Sequence, residues 1–144
     1  MVGMSDKAYD CYVAGPFFDP EQTASMERLE RVLEDHGKKL FKPRLVSQIE
    51  EVGPEGCFAD DIHGIGSSAM VIANLVDEDP GTMFEIGYAH ALGVPVYGYF
   101  EGLTPMNRVN LMIAQAVELV FSGPDDLASY LETGGHTEVD YIQF

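Results

Sequence analysis

The run Ala-Met-Val-Ile-Ala-Asn-Leu-Val over residues 69–76, followed at once by Asp77-Glu-Asp-Pro80 and a helix-forming stretch up to Gly93, constrains the chain more than any other segment. Apolar residues in succession, without alternation, read as a strand buried on both faces, which is what a parallel sheet requires. Asp79 is placed to cap a helix and Pro80 suits its first position. Gly93, with Pro95 two residues on, is a stop signal, so the spacing predicts a helix over residues 80–92.

Glu85 then falls in the second turn, among Phe84, Ile86, Gly87, Tyr88 and Ala89. A carboxylate with such neighbours is partly desolvated, which implies a partner or a use. The nearby helix N-terminus favours its ionised form, keeping it available as a nucleophile at neutral pH. Asp79 has two readings, a cap alone or a cap that also serves a site.

Upstream, residues 1–7 read as a frayed lead-in and residues 8–14 as a first strand that runs into Gly15-Pro16-Phe17-Phe18. Such a turn lies at the carboxyl edge of a sheet, where open α/β folds bind ligands. Phe17 and Phe18 are either core plugs or platforms for a planar ligand. Tyr12 is either a core residue or a group that steers a carboxylate. Asp19-Pro-Glu-Gln22 opens a helix with a variant capping box; Met26, Leu29, Val32 and Leu33 keep helical spacing, and His36-Gly37 closes it. This helix reads as scaffold.

Residues 39–43 are expected as a second strand, and 44–57, broken by Gly53, Pro54 and Gly56, as an irregular lid or binding segment. A short helix over 58–68 carries Asp60, Asp61 and His63; the adjacent aspartates are either solvated or functional. Beyond the central helix come a strand over 94–100, a loop over 102–108, a helical turn over 109–114, a last strand over 117–121 and a helix over 124–131. The tail ends in Tyr141-Ile-Gln-Phe144, apolar for a terminus and so expected to be docked. This order predicts a three-layer α/β sandwich with right-handed crossovers and a five-stranded parallel sheet in the flavodoxin-like order 2-1-3-4-5. Its switch point would bring residues 12–18 and 77–85 together.

With 144 residues the chain suits one domain with its own core. The 24 acidic residues against 8 basic ones give a formal charge of −16, which repels nucleic-acid backbones and anionic membranes. No lysine follows Lys42, so a Schiff-base or P-loop lysine is absent downstream. Cys11 and Cys57 form neither a metal pattern nor a disulfide framework, and His36, His63, His90 and His136 lack ligand spacing. Neither a metal nor an organic cofactor is expected. No spanning segment or leader pattern is evident, so a cytoplasmic location is expected.

The ordered set Tyr12-Val-Ala-Gly-Pro-Phe-Phe18, Asp61-Ile-His-Gly-Ile65, Asp79-Pro-Gly-Thr-Met-Phe-Glu-Ile-Gly-Tyr-Ala89 and Asn110-Leu-Met112 resembles the nucleoside 2-deoxyribosyltransferase family over roughly residues 9–121. The resemblance implies that Glu85 attacks C1′ of a deoxyribose to form a glycosyl-enzyme and that Tyr12 orients its carboxylate. It assigns proton transfer at the nucleobase to Asp61, with Asp60 as competitor, and contact with the sugar hydroxyls to Asp79. Asn110, with Met112 nearby, would reach the sugar from a neighbouring subunit of a homo-oligomer, dimers that assemble into a hexamer. Gln48 matches a base-contacting glutamine, Phe144 an aromatic C-terminal residue that reaches the site, and Gly15, Phe17 and Phe18 lie in a matching loop. Ala69 departs from the family pattern, where many relatives carry aspartate. The partners implied are 2′-deoxynucleosides and free nucleobases, transferred with retention. Arg44 and Arg108, on loops, keep open a deoxynucleotide N-glycosidase, because arginine favours a 5′-phosphate.

Overall fold

The computed structural model describes residues 6–144, so most of the lead-in expected over residues 1–7 lies outside the described residues. Five parallel strands, β1 (Tyr9–Ala14), β2 (Leu40–Phe41), β3 (Ser68–Asn74), β4 (Val96–Tyr99) and β6 (Val120–Phe121), form one sheet in the order β2-β1-β3-β4-β6. This is the predicted flavodoxin-like order. The fifth sheet strand carries the number six because a two-residue strand, β5 (Arg108–Val109), precedes it and pairs instead with β7 (Ile142–Gln143).

The period of two along a strand separates two cores. Cys11 and Val13 face the layer of α1 (Pro20–Asp35) and α6 (Pro124–Thr133), with Met26, Leu29, Leu33 and Leu127. Tyr12 and Ala14 face the opposite layer, with Ile65 of α3 (Ile49–Gly66) and Ile86 and Ala89 of α4 (Pro80–Leu92). The alternation therefore sends Tyr12 towards the helix that carries Glu85.

Both ends of α4 fall where the capping residues place them. Asp79 accepts from the Thr82 N–H at 2.8 Å, and Gly93 closes the helix at φ 81, a left-handed position that glycine takes without a Cβ clash. Asp19 likewise caps α1 by accepting from the Gln22 N–H at 2.8 Å.

The segment 44–57 is a correction. It is helical, formed by α2 (Pro43–Val46) and the first part of α3, with Gly53 at φ 71 and ψ 174 breaking α3 and Pro54 restarting it. The second strand shrinks accordingly to Leu40–Phe41, since Pro43 already begins α2. The tail docks on its own chain: Leu111 N–H donates to the Phe144 carbonyl at 2.7 Å, beside the β5–β7 pair.

Gly64 sets how closely α3 approaches the sheet. A Cβ there would stand 2.6 Å from the ring of Phe41, which itself stacks on Tyr12 at 5.2 Å and 11°. Gly64→Ala is therefore expected to push α3 away from the sheet, at a cost of roughly 1–3 kcal/mol in a denaturant titration. It would also displace Asp61, one turn earlier on α3.

Candidate active site

Tyr12 and Glu85 meet at the centre of the α3–α4 face. Tyr12 is 0% exposed and its hydroxyl donates to Glu85 Oε2. Thr82, Ile86 and Ala89 turn the buried side of α4 to the sheet, and Glu85, one turn after Thr82, sits beside that stripe. Asp61 comes from α3, whose buried Gly64 and Ile65 lie on the same helix face, three and four residues on.

The electrostatics correct the expectation of a readily ionised Glu85. Burial pushes its carboxyl up to about 7, with the charges of Asp61 and Asp79 adding to the effect, while the Tyr12 hydrogen bond opposes it. Burial, with the charge of Asp60, also raises Asp61, to about 6. Asp61 Oδ1 is buried without a hydrogen-bond partner, a costly arrangement for a carboxylate that a bound ligand would relieve. Tyr12 is raised as well, by burial and by Glu85, so its hydroxyl remains a donor.

Asp79 is engaged as a cap: Oδ2 accepts from both the Thr82 N–H and the Thr82 hydroxyl, each at 2.8 Å. Its field still reaches Glu85. Gly15, at φ 158, lets β1 pass close to α1 and β3, because a Cβ would stand 2.4 Å from Met26 Sδ. The turn it opens presents Phe17 and Phe18 stacked on each other at 5.2 Å; both are exposed, Phe18 by 74%. They are therefore not core plugs.

Other predicted residues gather elsewhere. Asn110 caps α5 (Leu111–Ala116), accepting from the Met112 N–H at 2.9 Å, and Met112 is 70% exposed. Asn110 also lines a cavity with Leu75, Glu78, Met83 and Arg108, and the Arg108 guanidinium lies 4.4 Å from the ring of Phe144. Gln48 is exposed and its amide donates to the Arg44 carbonyl at 3.0 Å. Arg44 itself is taken up by buried Glu30, with Nη2 to Oε1 at 2.7 Å and a second, shorter bond between Nη1 and Oε2. Its guanidinium is thus committed to α1.

Three features escaped the sequence reading. Asp77 and Glu78 take left-handed conformations, at φ 59 and 48, between β3 and α4. Asn74, buried at the end of β3, ties that turn to α1; a polar residue inside an apolar run was the available signal. Phe41, stacked on Tyr12, had no signal beyond being apolar. Among the described residues no group of three or more His, Cys, Asp or Glu side chains is arranged to hold a metal ion, and no helix is long and apolar enough to cross a membrane.

Set against known proteins, the sequence profile of the nucleoside 2-deoxyribosyltransferases matches residues 11–134. A solved 2-deoxyribosyltransferase from Bacillus psychrosaccharolyticus superposes with a TM-score of 0.73 at 29% identity, over 84% of this chain and 91% of that one. Two more distant structures share the fold. One is a 2-deoxyribosyltransferase from Leishmania mexicana (TM-score 0.65, 22% identity, 87% of this chain and 98% of that one). The other is a CMP N-glycosidase from Clostridium botulinum (TM-score 0.58, 19% identity, 85% and 98%). No curated protein sequence matches.

Proposed function

The chain belongs to the nucleoside 2-deoxyribosyltransferase family, and on that premise we propose that it moves a 2-deoxyribosyl group between nucleobases by double displacement at C1′. The observation that carries this reading is the bond from buried Tyr12 to half-buried Glu85, with the buried, unpartnered Asp61 Oδ1 on the facing helix.

The role of each group follows from the chemistry. Breaking an N-glycosidic bond builds positive charge on the sugar ring, which the Glu85 carboxylate stabilises and then traps as a glycosyl ester. Tyr12 holds the attacking carboxylate in place, and Asp61 gives the departing base its proton, then takes one back from the incoming base. Two displacements retain configuration at C1′. Asp61 is favoured over Asp60 because its own oxygen is the buried, unpartnered one. Asp79, besides capping α4, is assigned the sugar hydroxyls, and Phe17, Phe18 and Gln48 the base side. Exposed Met112, with Asn110, is proposed to complete the site of a neighbouring copy. The reading implies nucleoside salvage in the cytoplasm.

Substrates without a phosphate fit best. Asp60, Asp61, Asp77, Glu78, Asp79 and Glu85 crowd the α3 and β3–α4 segments that form the site, and Arg44 is spent on Glu30. The runner-up is a deoxynucleoside or deoxynucleoside 5′-monophosphate N-glycosidase in which water takes the second step, and Arg108, close to Asn110, is the observation that favours its phosphate-bearing form. Intact-mass analysis after mixing with 2′-deoxyinosine, without an acceptor, tests the covalent step. The transferase reading expects a 2-deoxyribosyl adduct on the peptide containing Glu85; an adduct on another peptide would remove Glu85 from the role.

The proton balance makes a further prediction. The productive form needs Glu85 ionised and Asp61 protonated, yet burial raises Glu85, to about 7, further than Asp61, to about 6. The two carboxyls therefore titrate close together, and kcat/KM is expected to be bell-shaped, falling below about pH 6 and above about pH 7. Tyr12→Phe removes the bond that lowers Glu85, so the alkaline limb of the bell should move upward while kcat drops roughly ten- to a hundredfold. A bell that stays in place would mean that Tyr12 does not act on Glu85.

A further inference from the structure

Helix α1, read from the sequence as scaffold, buries, besides Glu30, two uncharged polar side chains one turn apart, Gln22 and Ser25. Both are bound to the connection between β3 and α4. Ser25 Oγ accepts from Asn74 Nδ2 at 2.9 Å, and Asn74 Oδ1 accepts from the Val76 N–H at 3.2 Å. Gln22, 8% exposed, bonds in two directions: Oε1 accepts from the Phe18 N–H at 2.9 Å, and Nε2 donates to Asp77 Oδ2 at 2.9 Å.

The second of these bonds ends on strained backbone. Asp77 and Glu78, at φ 59 and 48, are the only non-glycine residues with positive φ among those described. Two such residues in succession persist only where their surroundings hold them. Immediately after them come Asp79, which caps α4, and the turn that carries Glu85. Released from Gln22, Asp77 is free to return to an ordinary conformation and rotate the first turn of α4.

We propose that Gln22 is a positioning residue, a clamp that couples the Phe17–Phe18 turn to the left-handed Asp77-Glu78 pair and so fixes where Asp79 and Glu85 stand. The kinetic side of this inference rests on the assignment of Glu85 made above; the structural side does not. Gln22 touches no reacting atom. Its effect passes through Asp77 to α4.

The bond can be broken and rebuilt with its polarity reversed. Gln22→Glu keeps an acceptor for the Phe18 N–H but sets a carboxylate against that of Asp77. Adding Asp77→Asn supplies an amide that donates to the new glutamate, restores the total charge and tolerates the left-handed conformation. Three quantities are compared in wild type, the single variant and the double variant: backbone amide exchange over residues 17–19 and 77–85, kcat and KM for 2-deoxyribosyl transfer, and the unfolding midpoint.

For Gln22→Glu we expect faster exchange over residues 77–85 and a kcat lower by roughly ten- to a hundredfold, with KM changed less than about threefold. The double variant should recover both exchange and kcat to within about threefold of wild type. Unchanged exchange over 77–85 in the single variant overturns the clamp, as does a double variant that fails to recover. A loss of thermal stability with kcat intact would make Gln22 merely structural and overturn it too. Exchange is read without turnover. A wild-type chain that acts on no donor would therefore sink the assignment of Glu85 alone, and the exchange comparison would still decide the clamp.

Discussion

Glu85→Gln is expected to abolish 2-deoxyribosyl transfer, lowering kcat by at least about a thousandfold, while making the protein more stable at alkaline pH. The first effect follows because an amide neither attacks C1′ nor stabilises the positive charge on the ring. The second follows from linkage. The folded chain holds the Glu85 proton up to about pH 7, against an ordinary value of 4.5, because burial penalises the charged form. Its contribution to stability is therefore full below about 4.5 and is lost as pH rises through about 7. Above that window wild type carries a partly desolvated charge costing on the order of 3 kcal/mol, which glutamine avoids. Thermal unfolding at pH 8 should show the variant melting roughly 5–10 °C higher, with the gap closing near the ordinary carboxylate range. An inactive variant that is also less stable at pH 8 would mean that Glu85 is ionised and well solvated, against the account.

Asp61→Asn carries the second largest expected effect, and the size of that effect should depend on the leaving group. With 2′-deoxyinosine as donor the base must be protonated as it departs, so losing the acid should lower kcat/KM by roughly 10²–10⁴. With 7-methyl-2′-deoxyguanosine the base is already cationic and leaves without a proton. The same variant should then lose less than about tenfold in the first displacement. Glu85→Gln, by contrast, should fail with both donors. Equal losses on the two donors for Asp61→Asn would show that Asp61 organises the site rather than moving a proton. The same loss from Asp60→Asn would transfer the acid role to Asp60.

These expectations rest on geometry that was unevenly legible in the sequence. Helix α4 was placed to the residue because its signals are local: Asp79 and Pro80 act on the first turn and Gly93 on the last. The topology follows from the alternation of strands and helices, and the convergence of residues 12–18 with residues 77–85 follows from the switch point, whereas which layer Tyr12 faces is fixed only in the folded sheet. The stretch 44–57 misled because Gly53 and Pro54 separate two helical segments, where breakers of that kind more often make a loop. The β5–β7 pair was invisible, since two residues carry no periodicity. The left-handed Asp77-Glu78 pair was invisible for another reason, being held by Gln22 from a distant helix. The upward push on Glu85 is likewise not local. A helix N-terminus can be read locally, whereas the packing of Tyr12 and the charges of Asp61 and Asp79 around the carboxylate belong to the folded chain.

Incubation of the purified protein with 2′-deoxyinosine and free cytosine, with products separated and Glu85→Gln run alongside, tests the central claim most directly. The account predicts 2′-deoxycytidine of retained configuration, formed by wild type and not by the variant. Free 2-deoxyribose with no new nucleoside, or 2′-deoxycytidine formed equally by the variant, would contradict it.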